Sequence, residues 1–394
     1  MRLMILKSFF TIIVCFIVAP SVYALPQFAV LTGNKCISCH IQSHGGGLRS
    51  DLGAYSYIDV ALIKPESIGL GSLFSPFEEN TFFDGKLTVG ADARFQTVRA
   101  HSSPDAERKY FPMQGSLYAQ YAVMNELKVE ANYNAGHSSK NRYPGQQAWA
   151  ASVLFQPDVD LPILRIGRFS PNVGIRYDDH SKMTRQFFSP TGTNLSTNFL
   201  PPAFAEYGAE LTYDSWHSMT ASFGVFGSYA MNEIKVQNNG GEAVPIISAS
   251  NMPTMVGRVE FMDQFFEKAL YTSIGASAMV NDDFSNIRGF GTIGLIDKVA
   301  LMIEYSETEK RNVQKTSVLS FDGMYPIVEG LSATARYETG KTVIANGNTN
   351  NVYSIVLGAQ AFVLPHIELR PEYRILDTEN FRSSRWAMQI HLFY

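Results

Sequence analysis

Runs of about ten residues alternating apolar and polar side chains, a steady rhythm of short turns and longer polar connections, and an aromatic C-terminal stripe predict an all-β fold. The expected architecture is a 16-stranded outer-membrane β-barrel over residues 81–394, with a short N-terminal segment docked at or in its lumen. Composition agrees with that class. Charged residues make up 17% of the chain, below the roughly 25% usual for soluble domains. A net charge of -4 with no basic block excludes nucleic acid as a partner.

In chain order, residues 1–24 come first as a signal peptide. Arg2 and Lys7 precede the apolar run Phe9–Ala19, and Val22 and Ala24 stand at the -3 and -1 positions of a cleavage site. Loss of this peptide removes two cations and Cys15, so the mature chain carries about -6. No later stretch is apolar for the roughly 18 residues a membrane helix needs.

Residues 25–80 form the next unit, and Cys36 and Cys39 are its cysteines, within Cys36-Ile37-Ser38-Cys39-His40. Cys-x-x-Cys-His is the attachment signature of haem c, expected by chance on the order of once in two thousand chains of this composition. Two thiols add across the haem vinyl groups, and the next histidine lies under the iron as axial ligand. A disulfide would close too small a loop to stabilise much, a thioredoxin-like site needs a βαβ setting, and zinc needs about four ligands. One covalent haem on Cys36 and Cys39, with His40 on the iron, is the expectation. His44 would project from the same helical face as His40, so it cannot reach the opposite side of the same iron. His391 and His366, near periplasmic strand ends with inward parity, are the candidate distal ligands, and the methionines of the mature chain remain open alternatives.

From about residue 82 the barrel begins. Leu87, Val89, Ala91, Ala93 and Phe95 share one face, against Thr88, Gly90, Asp92, Arg94 and Gln96; Leu127–Asn134 and Lys298–Tyr305 repeat the pattern. Short turns near 124–126, 157–161, 214–216, 263–267, 296–298, 325–329 and 364–366 alternate with long connections near 101–110, 138–146, 170–205, 228–253, 281–285, 307–315, 340–351 and 378–382. Such a series joins sixteen strands, turns in the periplasm and loops outside. Trp386, Met388, Ile390, Leu392 and Tyr394 form the closing lipid-facing stripe, while Lys128, Glu130, Arg336, Glu338, Glu368, Arg370, Glu372 and Arg374 point into a wet lumen. A soluble β-sandwich has no use for that charged interior.

The stretch Ala24-Leu25-Pro26-Gln27-Phe28-Ala29-Val30-Leu31-Thr32-Gly33-Asn34-Lys35-Cys36-Ile37-Ser38-Cys39-His40, leading into a sixteen-stranded barrel, resembles the fused monohaem cytochrome–porins of iron-oxidising bacteria. Pro26, Phe28, Ala29, Thr32 and Gly33 stand as in that family, and the chain departs from it at Val30-Leu31 and in the Gly-rich tract after His44. The resemblance implies electron transfer across the outer membrane, from extracellular ferrous iron or another external donor to periplasmic electron-carrier cytochromes. Acidic clusters at Asp105 and Glu107, Asp178-Asp179-His180 and Asp282-Asp283 suit attraction of a cation. The competing functions are a solute-conducting porin with the haem segment as plug or redox sensor, and a haem enzyme with an open axial position.

Overall fold

The computed structural model describes residues 26–42, 45–54, 60–77, 79–100, 108–135, 144–175, 181–188, 197–201, 203–214, 218–238, 242–249, 252–345, 347, 349–379 and 381–394. The signal peptide, His44, Asp105, Glu107 and Asp178-Asp179-His180 lie outside the described residues.

Sixteen antiparallel strands form one closed sheet. They are β1 (Leu87–Ala100), β2 (Lys109–Met124), β3 (Leu127–Asn134), β4 (Trp149–Phe155), β5 (Ile163–Phe169), β6 (Glu206–Tyr213), β7 (Met219–Phe226) and β8 (Thr254–Phe265). The second half comprises β9 (Leu270–Val280), β10 (Phe284–Leu295), β11 (Val299–Lys310), β12 (Gln314–Val328), β13 (Leu331–Ile344), β14 (Thr349–Leu364), β15 (Ile367–Thr378) and β16 (Phe381–Phe393). Each strand pairs with the next, and β1 closes the ring on β16 from Asp92↔Phe393 to Ala100↔Arg385. Closure satisfies every edge, as hydrocarbon requires.

The predicted parity holds. On β11, Leu301, Ile303 and Tyr305 are exposed outward while Ala300, Met302, Glu304 and Ser306 are buried inside. Phe261, Ile274, Ile293, Ile303, Phe321 and Ile355 continue the outer belt across six strands, a surface far larger than soluble proteins expose. Tyr110, Trp149, Tyr207, Tyr353 and Trp386 ring its loop end, and Phe155, Phe265 and Tyr325 its turn end. Those are the aromatic girdles of the two lipid–water interfaces.

The seven short turns fall where expected, but four of the eight long connections are in fact short. Strands resume at Phe284, Gln314, Thr349 and Phe381 after ending at Val280, Lys310, Ile344 and Thr378. Polar residues that resembled loop sequence keep the alternation: Ser306, Thr308 and Lys310 face the lumen, in register with β10. Among the described parts, large connections therefore belong to the first half of the barrel alone, at 135–148, 170–205 and 227–253.

Two segments enter the lumen. The N-terminal one starts with α1 (Pro26–Thr32), which seats Phe28, Val30 and Leu31 among Met262, Tyr271, Phe290, Met302, Met324 and Phe362 of the inner wall. A Cβ at Gly294 of β10 would strike the Val30 carbonyl, so glycine permits this approach. The rim holds the segment through Asp297 N–H to the Leu31 carbonyl (2.9 Å), Gln264 Nε2 to the Gly33 carbonyl (2.5 Å), Lys35 Nζ to Asp214 Oδ1 (2.8 Å), and Leu62 and Ile63 N–H to the carbonyls of Phe362 and Val363. The second segment, described over 171–175 and 181–188, follows β5 and reaches the far wall. Gly174 N–H reaches Ser277 Oγ (2.8 Å), Lys182 Nζ reaches Asp322 Oδ2 (2.6 Å) and Met183 N–H reaches Glu338 Oε1 (2.8 Å).

At the turn between β14 and β15, His366 packs against Phe77, Phe393 and Tyr394. Burial, then the Arg49 guanidinium, depress its pKa to about 4. Above pH 6.5 the ring is neutral in both states. Below it, the unfolded chain takes up a proton that the folded site refuses until about pH 4.

Two outcomes are expected from titrating the unfolding of vesicle-embedded protein. Ile303→Lys, near the middle of the outer belt, should destabilise the barrel by about 2–4 kcal/mol. Lowering the pH from 7 to 4 should remove roughly 3 kcal/mol at most, and His366→Phe should flatten that slope; an equally steep slope in the variant would refute the assignment.

Candidate functional site

The haem-type motif occupies one tight turn after α1. Gly33, in the left-handed region (φ 67°), ends the helix, and a 3₁₀ turn over Cys36–Ser38 follows. Ser38 N–H bonds the Lys35 carbonyl (3.0 Å), while Cys39 and His40 N–H both bond the Cys36 carbonyl, at 3.2 and 2.9 Å. Cys36, Cys39 and His40, at i, i+3 and i+4, therefore share one side of the turn. Beyond it, His40 bridges antiparallel to Arg49, so the chain doubles back and both residues are buried. Gly45 (φ 80°) closes over the turn: a Cβ there would lie 3.5 Å from Cys36 Sγ and 3.8 Å from His40 Cδ2.

Cys36 and Cys39 are separate thiols rather than a disulfide. Burial pushes the Cys36 thiol up to about 12, with Glu260 adding to it and Arg258 opposing; burial also raises Cys39. Both are protonated at neutral pH, which does not suit a thioredoxin-like nucleophile. Among the described residues, no group of three or more His, Cys, Asp or Glu side chains is placed to hold a metal ion. Two neutral thiols and an imidazole on one turn fit the donor set for covalent haem attachment. The cavity beside Cys36 measures about 50 Å³, room for a water or two, so a macrocycle there would displace the side chains that close over it.

The wall of that cavity comprises Thr220, Arg258, Glu260, Met262, Tyr271, Ser273, Thr292 and Met302, with Ile175 from the second inward segment. Met262 lies three residues from the turn end of β8, so the motif sits about 10 Å inside the short-turn mouth. Sequence reasoning missed this wall. Its inward parity was readable strand by strand; which strands face the motif was not.

The distal-ligand expectations are corrected. His391 is inward and buried, but its Nδ1 lies 2.8 Å from Glu368 Oε2 and its Nε2 2.8 Å from Asp92 Oδ1. Both ring nitrogens face carboxylate oxygens, and neither is left to bind iron. His366 is packed in its aromatic cage, away from the cavity lining. Asp92 also lies 3.5 Å from Arg49 Nη1, and that guanidinium stacks over Phe393 at 4.5 Å, so the network ties the N-terminal segment to β1 and β16. Of the acidic clusters, Asp283 accepts from Ser248 N–H (2.7 Å) and pairs with Lys310 (3.3 Å); it serves as a loop pin, and the backbone bond to Ser248 is the first cause of its lowered pKa.

No family model and no curated protein matches this sequence. Solved structures match in fold. OmpF of Salmonella typhi, in complex with daunomycin, has 15% identity and a TM-score of 0.52, over 79% of this chain and 99% of its own. OprB of Pseudomonas putida has 8% identity and a TM-score of 0.53, over 84% and 97%. OmpT of Vibrio cholerae has 11% identity and a TM-score of 0.51, over 78% and 97%. A closed sixteen-stranded barrel with a lipid-facing belt, sharing its fold with these porins, is a protein of the bacterial outer membrane.

Proposed function

We propose that this chain transfers electrons at the outer membrane through one covalent haem c, held by Cys36 and Cys39 with His40 on the iron. The observation that carries the proposal is the pair of unbridged thiols, Cys39 buried and Cys36 half-buried, on one turn with His40, inside a barrel lumen. When bound, the haem supplies a one-electron couple whose potential its ligands and burial set. The protein's own residues do the rest. Phe28, Leu31, Met262, Phe290 and Met302 exclude water around the motif, and Lys35–Asp214 and Gln264–Gly33 fix it to the rim. Placement near the short-turn mouth suits exchange with a periplasmic electron-carrier cytochrome. Extracellular ferrous iron is the donor that the family resemblance implies.

A second reading, a solute channel, is favoured by the porin fold and by a lumen lined with Arg165, Arg258, Arg288 and Arg336 beside Glu130, Glu260, Glu304 and Glu338. Covalent haem separates the two. Denatured outer-membrane protein should carry haem on a peroxidase-stained gel, Cys36→Ala with Cys39→Ala should abolish the stain, and excess ferrous iron should reduce the ferric form. An unstained wild-type band, together with open-channel currents in planar bilayers, would replace this proposal with the solute channel. A stained protein that ferrous iron fails to reduce at any accessible pH would remove iron as donor.

A further inference from the structure

We propose that the lumen holds a second site, a chamber that binds a small oxyanion carrying a hydroxyl, such as hydrogen phosphate or a hydroxycarboxylate, with Arg168 as its principal contact. The site lies outside the turn at Cys36–His40 and does not depend on what that turn carries. A cavity of about 120 Å³ lies between the inner wall and the two inward segments, room for several waters. The N-terminal segment contributes Gln42 and Leu48, the wall Asn132 of β3 and Ser152 of β4, and the connection after β5 Asn172 and Arg185. Three guanidinium groups, those of Arg165, Arg168 and Arg185, line it against one carboxylate, that of Glu130. Glu130 pairs with Arg165 at 2.7 Å, so the lining as a whole is cationic.

Arg168 is the group the fold leaves unanswered. β5 ends at Phe169, and beyond it the flanking chains meet directly: Gln147 N–H bonds the Ala203 carbonyl (3.0 Å) and Gln146 bridges to Phe204. Arg168 stands where β5 leaves the wall, 6% exposed, with its guanidinium over the Trp149 and Tyr207 rings at 4.9 and 5.1 Å. One Nη donates to Gln147 Oε1, Nε is buried without an acceptor, and among the described residues no carboxylate pairs with the group. A buried cation without a counter-charge is costly. An oxyanion supplies the charge and the missing acceptor together, to a planar donor already held by the rings. Asn132 Oδ1, on the same lining, is a buried acceptor without a donor. Asn132 pairs with Ala150, and the adjoining Ala151 pairs with Arg168, so the two residues start about 10 Å apart across β3 to β5. A ligand that turns an anionic oxygen to Arg168 and a hydroxyl to Asn132 satisfies both.

Isothermal titration calorimetry of the full-length protein in detergent, at pH 7 and low salt, with inorganic phosphate and malate as probes, tests the site. At least one probe should bind saturably, one per chain, and which one binds separates phosphate from carboxylate chemistry. Arg168→Gln should weaken that binding at least tenfold. Asn132→Asp keeps every arginine and sets a second carboxylate in the lining, so it should weaken binding by a similar factor. Binding should be unchanged in Cys36→Ala with Cys39→Ala. Heat-modifiable migration on a gel reports whether each variant folds; if Arg168→Gln does not, Asn132→Asp decides. The proposal is overturned if neither probe binds the wild type saturably, if either folded lining variant binds as tightly as the wild type, or if the double cysteine variant loses binding, which would place the ligand at the turn instead.

Discussion

A backbone in hydrocarbon has no water to bond, so each strand must be paired on both sides. That requirement closes β1 on β16, and the remaining architecture follows from the closure. Sixteen strands leave an interior too wide for wall side chains alone to fill. The chain must therefore leave the lumen wet or bring segments in from its ends and loops. It brings in two: the N-terminal segment at the short-turn side, and residues 171–175 and 181–188 from the connection after β5.

The segments are held by different physics. α1 is held chiefly by apolar contact, with Phe28 and Leu31 among the methionines and aromatics of β8 to β14. Residues 171–175 and 181–188 combine apolar packing of Val173, Phe187, Met183 and Phe188 with contact to a buried charge cluster of the wall. Lys182 is fully buried against Asp322, Arg288 pairs with Glu304, and Arg336 with Glu338. Burial lowers the Lys182 pKa, while Asp322, Glu304 and Glu338 act against that shift. Such a cluster gives modest net stability while complete, yet removing one partner strands the others and costs about 3–5 kcal/mol. The apolar contact tolerates repacking, whereas the charged one specifies a single position across the lumen.

The same contrast explains what was legible in the sequence. Period-two alternation is local, so Leu301, Ile303 and Tyr305 were assigned outward and Glu304 inward without knowledge of their neighbours. The turn at 296–298 is equally clear, because polar Asp297 and Lys298 stand between two alternating runs. The connections at 311–313 and 345–348 were read too long, since polar residues facing a wet lumen resemble polar residues in a loop. The site divided in the same way. Cys36, Cys39 and His40 depend only on spacing along one turn. The partners of His391, and the wall beside Cys36, depend on register across strands. Parity gives the face a residue points to; depth and company come only from the closed sheet.

Two closures in series bear differently on the two kinds of cargo. A solute crossing the barrel would pass the ion pairs around Lys182 and the core around α1. An electron needs neither to move. It requires a centre shielded from water, held near one mouth and in van der Waals continuity with its surroundings, and dense packing supplies that continuity. On the haem reading proposed above, such burial would be the environment in which the group keeps its ligands and a defined potential. Under that proposal the sixteen strands would serve as an insulating wall around the turn at Cys36–His40.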